Sequence, residues 1–304
     1  MPENNLKQAM LPVGGTVFEN NHGTAPGAAL EKNGKCVIIL PGPPGELVPM
    51  FNESVRGFLK KYSDGAIVSH TVNIIGMGES SVAEEIEDMF DAKNPTVAPY
   101  AKSGEVRLRI TAKAETADEA DKMCAPVVDE ICSRLGDVVY GTDMNSIEER
   151  VVALLKEKGK KIATAESCTA GYIPKRLTDI PGASEVFECG IVSYSNDIKT
   201  KLLGVSPKTL ETYGAVSEQT AREMALGAKH VSGADIAIST TGLAGPGGDG
   251  VLPGGRSFAA VTDGERTVVE KIVTGHENDR EYNRYVTASR ALNLARLMLE
   301  EKIK

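Results

Sequence analysis

A serine at the end of an apolar strand is the first place in this chain where residue type and position point to chemistry. In Thr164-Ala165-Glu166-Ser167-Cys168-Thr169-Ala170-Gly171 the strand runs out at Ala165, and a helix is expected to start near Ser167. Backbone N–H groups at a helix start have no intrahelical acceptor, so they can stabilise an oxyanion or hold an anionic ligand. Ser167 is therefore a candidate nucleophile for acyl transfer. An ordinary N-cap is the commoner task of serine and threonine there, and for Ser167 and Thr169 both readings stand. Cys168 is the adjoining rival, since thiolates at helix starts are activated. Neighbours on a helix diverge by about 100°, so only one of the two faces a common pocket. Packing as a small apolar side chain is the simpler role for Cys168.

A serine hydroxyl needs a base, and the usual one is histidine. The four histidines are His22, His70, His230 and His276, and none sits beside other residues of catalytic type. A second motif, Ser193-Tyr194-Ser195-Asn196-Asp197-Ile198-Lys199, supplies another base at a strand end running into a helix. Burial can hold a lysine neutral, and a neutral Lys199 beside Tyr194 can deprotonate a serine. With Lys201 close by, a solvated Lys199 fits the periodicity equally well. A third motif, residues 240–250, follows an apolar strand and holds Thr241, Gly242, Gly245 and Gly247. Ligands bind beyond the carboxyl ends of strands in open α/β sheets, and glycines let backbone N–H groups approach a phosphate. No Walker lysine is present, so triphosphate hydrolysis is not indicated. Asp279, Arg280 and Arg284, opening the last helix, can contact a phosphate or simply form a solvated helix start.

The elements that must position these residues alternate between helix and strand over 144–304. Ser146 and Glu149 read as a capping box before a helix with Val151, Val152, Leu154 and Leu155. Strands ending near 165, 194 and 239, β segments at 256–262 and 267–274, and helices at 207–213, 218–231 and 279–302 predict a three-layer α/β domain. Residues 64–143 read as βαββαβ, the ferredoxin-like order, with strands at 67–75, 96–100, 105–111 and 138–140. Residues 1–63 offer one buried strand, Cys36-Val-Ile-Ile-Leu40, and one helix through Leu47, Met50, Val55 and Phe58. One strand and one helix bury each other poorly. That segment reads as part of a larger α/β domain, either paired with a second copy or disordered before about residue 30.

Bulk properties narrow the classes of function. The 304 residues carry a net charge of −8 and only 5% aromatics with no tryptophan, so the cores rest on aliphatic side chains. A general nucleic-acid binder needs a basic face, and direct nucleic-acid contact is not expected. Five scattered cysteines, Cys36, Cys124, Cys132, Cys168 and Cys189, include no CxxC pair, so zinc ribbons and disulfide frameworks are unsupported. No apolar run approaches the ~18 residues of a membrane span, and the first residues lack a signal-peptide core. A cytoplasmic protein without membrane contact is expected.

Taken together, Thr164-Ala-Glu-Ser-Cys-Thr169, Tyr194-Ser-Asn-Asp-Ile-Lys199, Gly214-Ala-Val-Ser217 and Thr241-Gly-Leu-Ala-Gly-Pro-Gly-Gly248 resemble the nicotinamide-nucleotide amidohydrolase domain of the CinA (competence/damage-inducible) family. Residues 64–143 resemble its linking domain. Residues 19–27 and 40–46 resemble the end of its molybdopterin-binding-like domain, and since family members begin well upstream, 1–63 is expected to be a truncated form of that domain. The resemblance implies that Ser167 is the nucleophile, activated by Lys199 and Tyr194. It further implies substrate contacts from Cys168, Thr169, Thr241, Gly242, Gly245, Gly247 and Arg284. The expected reaction converts nicotinamide mononucleotide to nicotinate mononucleotide and ammonia, with no metal and no cofactor. A homo-oligomer, a dimer, is expected.

Two departures stand out. Pro253-Gly-Gly-Arg256 replaces the family's usual Pro-Val-Gly-Thr, and Pro174 is expected to bend the helix after Ser167. Two other readings compete. One is ADP-ribose pyrophosphate hydrolysis by the N-terminal region with a divalent metal, although residues 1–63 show no acidic cluster. The other is a non-catalytic partner in DNA uptake or repair.

Overall fold

Three short strands, β1 (Thr16–Phe18), β2 (Gly27–Lys32) and β3 (Lys35–Ile39), open the computed structural model, which describes residues 7, 8 and 10–303. They form an antiparallel sheet in the order β1-β2-β3. Helix α1 (Pro44–Met50) supplies Met50, and the π-helical turn (Phe51–Val55) that joins it to α2 (Arg56–Leu59) supplies Val55, to a small core with Phe18 and Ala29. The ring of Phe58 meets Phe18 edge-on at 5.4 Å. Only the third strand is marked in the sequence, which leaves the segment either paired with a second copy or disordered before about residue 30; of these alternatives, disorder is overturned from Thr16 onward. Gly27-Ala28-Ala29 lacks the bulk that marks a strand, yet its small side chains let the helix pack on the sheet. The opposite face of this sheet leaves Val17, Leu30, Val37 and Ile39 exposed. Residues 1–66 form one compact unit and 67–304 a second.

The second unit starts with β4 (Ala66–Ile75), α3 (Glu79–Glu85), β5 (Thr96–Lys102), β6 (Glu105–Ala114), α4 (Ala117–Leu135) and β7 (Val139–Thr142). Strand order β5-β6-β4-β7 is that of the ferredoxin-like βαββαβ, as expected. Val106, Leu108, Ile110 and Ala112 alternate inward from β6 and meet Ala120, Cys124 and Ile131 of α4. Thr116 and Glu119 close a full capping box at the start of α4.

The remainder holds α5 (Ile147–Lys158), β8 (Ile162–Glu166), α6 (Tyr172–Thr178), β9 (Phe187–Val192), α7 (Asn196–Leu203), α8 (Pro207–Tyr213), α9 (Glu218–Ser232), β10 (Ile236–Leu243), β11 (Arg256–Thr262), β12 (Thr267–Val273) and α10 (Arg280–Leu299). The sheet runs β12-β11-β10-β8-β9, with β8 parallel to both neighbours and β11 and β12 antiparallel. Ile162, Ile236 and Ile238 point to α5, α6 and α10, while Ala163, Ala165 and Ala237 point to α7 and α9. This is the expected three-layer α/β arrangement. Two details differ. Ser146 caps α5 as foreseen, but Glu149 returns its carboxylate to the N–H of Asn145 at 2.8 Å and so leaves the capping box half made. Pro174 falls at the third position of α6, where its missing N–H would have had no helical acceptor, so it need not bend the helix.

Arg296, wholly buried on α10, donates to the carbonyls of Asp137 and Val139. It joins the two halves of the second unit. Among the described residues no helix is long and apolar enough to cross a membrane.

Candidate active site

The carboxyl ends of β8 and β10 lie side by side, and the chain after β8 does not enter a helix at once. Ser167 donates its N–H to Thr240 O at 2.9 Å, and residues 168–171 then turn sharply before α6 begins at Tyr172. Ala170 (φ +50°) and Gly171 (φ +85°) are both left-handed, which is what the sharp turn requires. The expected helix start at Ser167 is therefore corrected by five residues. Ser167 sits on an elbow rather than at a helix N-terminus. The N–H of Ile173 in the first turn of α6 is taken by the Glu166 carboxylate at 3.2 Å.

Lys199 reaches the elbow from α7, whose start is capped by Ser195. It is 1% exposed, and its Nζ stands 3.0 Å from Ser167 Oγ, 2.7 Å from Ser193 O and 3.3 Å from Tyr194 O. No carboxylate forms an ion pair with it among the described residues. Burial pushes its pKa below the usual lysine value. Nζ can donate to all three; in the neutral amine two N–H groups serve the carbonyls and the lone pair is left for the serine proton. Of the two readings of Lys199, the solvated one is excluded.

A cavity of about 300 Å³ opens in front of this pair, within the range of small-ligand sites. Cys168 and Tyr194 line it. Burial pushes the Cys168 thiol up to about 12, so it carries no thiolate near neutral pH. Tyr194 is 63% exposed, and its hydroxyl makes no hydrogen bond among the described residues. Its link to Lys199 runs through the main-chain carbonyl. Neither His230 nor His276 lines the cavity.

Thr241, Gly242, Gly245 and Gly247 also line it. Thr241 Oγ1 donates to Ala215 O at 2.6 Å, which draws the segment between α8 and α9 against the cavity. At Gly245 (φ +91°) an added Cβ would stand 2.4 Å from Glu277 O. Gly247 gives its N–H to Glu277 O and Asn278 Oδ1, both at 3.2 Å. That amide therefore serves the loop itself rather than a phosphate.

Thr169 and Arg284 do not line the cavity. They stand behind the elbow: Thr169 Oγ1 is 2.6 Å from Thr240 Oγ1, and its carbonyl accepts from Arg284 Nη2 at 2.7 Å. The contacts they make here support the turn. The charge that does reach the cavity belongs to Arg280, whose Nη1 donates to Gly245 O at 2.7 Å. Its place at the start of α10 was visible in the sequence, but nothing there separated it from Arg284. Among the described residues no group of three or more His, Cys, Asp or Glu is placed to hold a metal.

Residues 144–299 match the family model for the CinA C-terminal domain, and 69–141 that for the damage-inducible protein CinA KH domain. A putative competence-damage inducible protein of Clostridium beijerinckii is 53% identical over 281 residues, covering 91% of this chain and 68% of that protein. The chain belongs to the CinA family. A CinA-like protein of Desulfovibrio desulfuricans is 46% identical over 296 residues, covering 96% of this chain and 70% of its own. Among solved structures, a competence/damage inducible protein from Agrobacterium tumefaciens is 38% identical, with a TM-score of 0.49 over 51% of this chain and 93% of that one. KH modules clamp a nucleic-acid backbone with a Gly-x-x-Gly loop. No such sequence occurs in residues 69–141 of this CinA family member.

Proposed function

We propose that this CinA family member hydrolyses the carboxamide of nicotinamide mononucleotide, giving nicotinate mononucleotide and ammonia. The observation that carries this reading is the buried Lys199 Nζ, 3.0 Å from Ser167 Oγ and without an acidic partner. Neutral Lys199 takes the Ser167 proton as Oγ bonds to the carboxamide carbon. The N–H of Cys168, which follows the nucleophile, is the candidate oxyanion donor. The C–N bond then breaks, and ammonia leaves with the proton returned by Lys199. Tyr194, which lines the cavity, is the residue assigned to relay it. Water attacks the resulting ester, gives its proton to Lys199, and frees the carboxylate together with Ser167.

Val216, Leu243 and Ala244 offer apolar wall for the pyridine ring, and Arg280 offers a cation for the phosphate. No metal or cofactor is assigned to this reaction.

The test is ammonia release from nicotinamide mononucleotide by wild type and Ser167→Ala. Phosphate-ester release from ADP-ribose with added divalent metal is measured in parallel. Release by wild type alone supports the reading. Equal rates in both proteins, or activity only on ADP-ribose, would overturn it.

A further inference from the structure

Glu166, the residue before the nucleophile, is fully buried and forms no ion pair among the described residues. It does not line the cavity. Strand alternation turns it toward α6, the face opposite Ala165 and the α7 layer from which Lys199 comes. Its Oε2 accepts the Ile173 N–H at 3.2 Å, and the N–H groups of Gly171 and Tyr172 and the Thr169 hydroxyl also favour its charged form. Burial outweighs them and pushes the carboxyl above the usual range. Oε1 has no hydrogen-bond partner among the described residues.

We infer that Glu166 is a positioning residue for Ser167, tying the turn of residues 169–173 back to the end of β8 as a hydrogen-bond acceptor. This rests on the reading of Ser167 as nucleophile. The left-handed pair Ala170 and Gly171 reverses the chain, so the amides that follow converge on β8 inside the protein, where an unmet N–H is costly. Glu166 meets them. The Ser167 N–H is fixed on the other side by Thr240 O, and the elbow is then held at both ends. Serine and lysine keep hydrogen-bond distance only while that turn keeps its shape. An acceptor suffices for this task, and a charge is not needed.

The test compares Glu166→Gln, which keeps an acceptor oxygen at the same reach, with Glu166→Ala, which removes it. Each full-length variant is checked for folding by circular dichroism. The rate at which a fluorophosphonate labels Ser167 is then measured, together with kcat and KM. In Glu166→Ala, labelling and kcat should both fall by about 10²-fold, the effect of a misplacement near 1 Å, with KM unchanged. Glu166→Gln should stay close to wild type. A purely structural role would lower the unfolding midpoint and leave labelling of the folded protein untouched, which overturns the inference. Glu166→Gln labelled as slowly as Glu166→Ala would overturn it too, since charge would then be the requirement. Should Glu166→Ala fail to fold, Glu166→Asp withdraws the carboxyl by one methylene, and wild-type labelling there counts against the proposal. Labelling needs no substrate. A wild type that labels at Ser167 but releases no ammonia therefore removes the assigned substrate and leaves this test standing.

Discussion

Lys199 Nζ and Ser167 Oγ meet at 3.0 Å across 32 residues of sequence, and the other polar contacts of the lysine are carbonyl oxygens. An ammonium in that setting is poorly compensated, and burial lowers the lysine pKa. The basic group is therefore lowered toward the working pH by its surroundings rather than by another charge.

Lys199→Arg should be nearly as inactive as Lys199→Ala, because guanidinium keeps its proton. In wild type, log kcat/KM should rise with pH along one basic limb and level off above the lowered lysine pKa, as the neutral form fills. Residues that act as a unit lose activity non-additively, so Ser167→Ala with Lys199→Ala should be no worse than either alone. Steady-state kinetics between acid and alkaline pH check all three. An active Lys199→Arg protein would reduce Lys199 to an electrostatic contact.

Cys168→Ala should retain most activity, because the thiol stays protonated with its pKa near 12. Thiol reagents should inhibit weakly. A loss comparable to that of Ser167→Ala would transfer the nucleophile to Cys168.

Arg280 and Arg284 should separate cleanly. Arg280→Ala should raise KM for nicotinamide mononucleotide by about 10–100-fold, the range of a hydrogen bond to a charged group, and change the reaction of nicotinamide riboside little. Arg284→Ala removes the donor to Thr169 O and should lower kcat and the unfolding midpoint instead. Parallel kinetics on the two substrates decide it; equal KM effects would remove the phosphate contact from Arg280.

His70 offers a pH dependence away from the cavity. Its Nδ1 lies 2.6 Å from Asp143 and its Nε2 2.8 Å from Asp121, and the Asp143 hydrogen bond is the leading cause of its raised pKa. The folded state binds this proton more tightly than the unfolded chain. The added stability is therefore complete below the unfolded value of about 6.5 and is lost as pH rises through the raised one. Denaturant unfolding of wild type should weaken over that window, and His70→Gln should show a flatter profile. Parallel profiles would mean that the clamp contributes nothing to folding.

Periodicity alone was enough for the βαββαβ segment, since β6 alternates from Val106 to Ala112 and α4 repeats its apolar face from Ala120 to Ile131. It failed at residues 16–32, where β1 is three residues long and β2 begins with small side chains whose burial depends on the helix packed over them. The elbow was misread for a similar reason. A left-handed Ala170 leaves no compositional mark, so the turn from 167 to 171 looked like the first turn of a helix.

At the site, the sequence determined the residue types: a serine after an apolar strand, a lysine one motif later, and a glycine-rich loop after the next parallel strand. Those are local properties, set by chemistry and spacing along the chain. Only the tertiary structure decided which of them meet. The parallel pairing of β8 with β10 puts Ser167 beside the glycine loop, and α7 brings Lys199 to it on one face of the sheet. On the other face the same sheet places Glu166, Thr169 and Arg284, one to two residues from the nucleophile or as charged as Arg280, yet outside the cavity. Strand alternation sends neighbours to opposite layers. Which layer holds the cavity depends on the helices that cover the sheet, a relation between distant segments that no local pattern encodes.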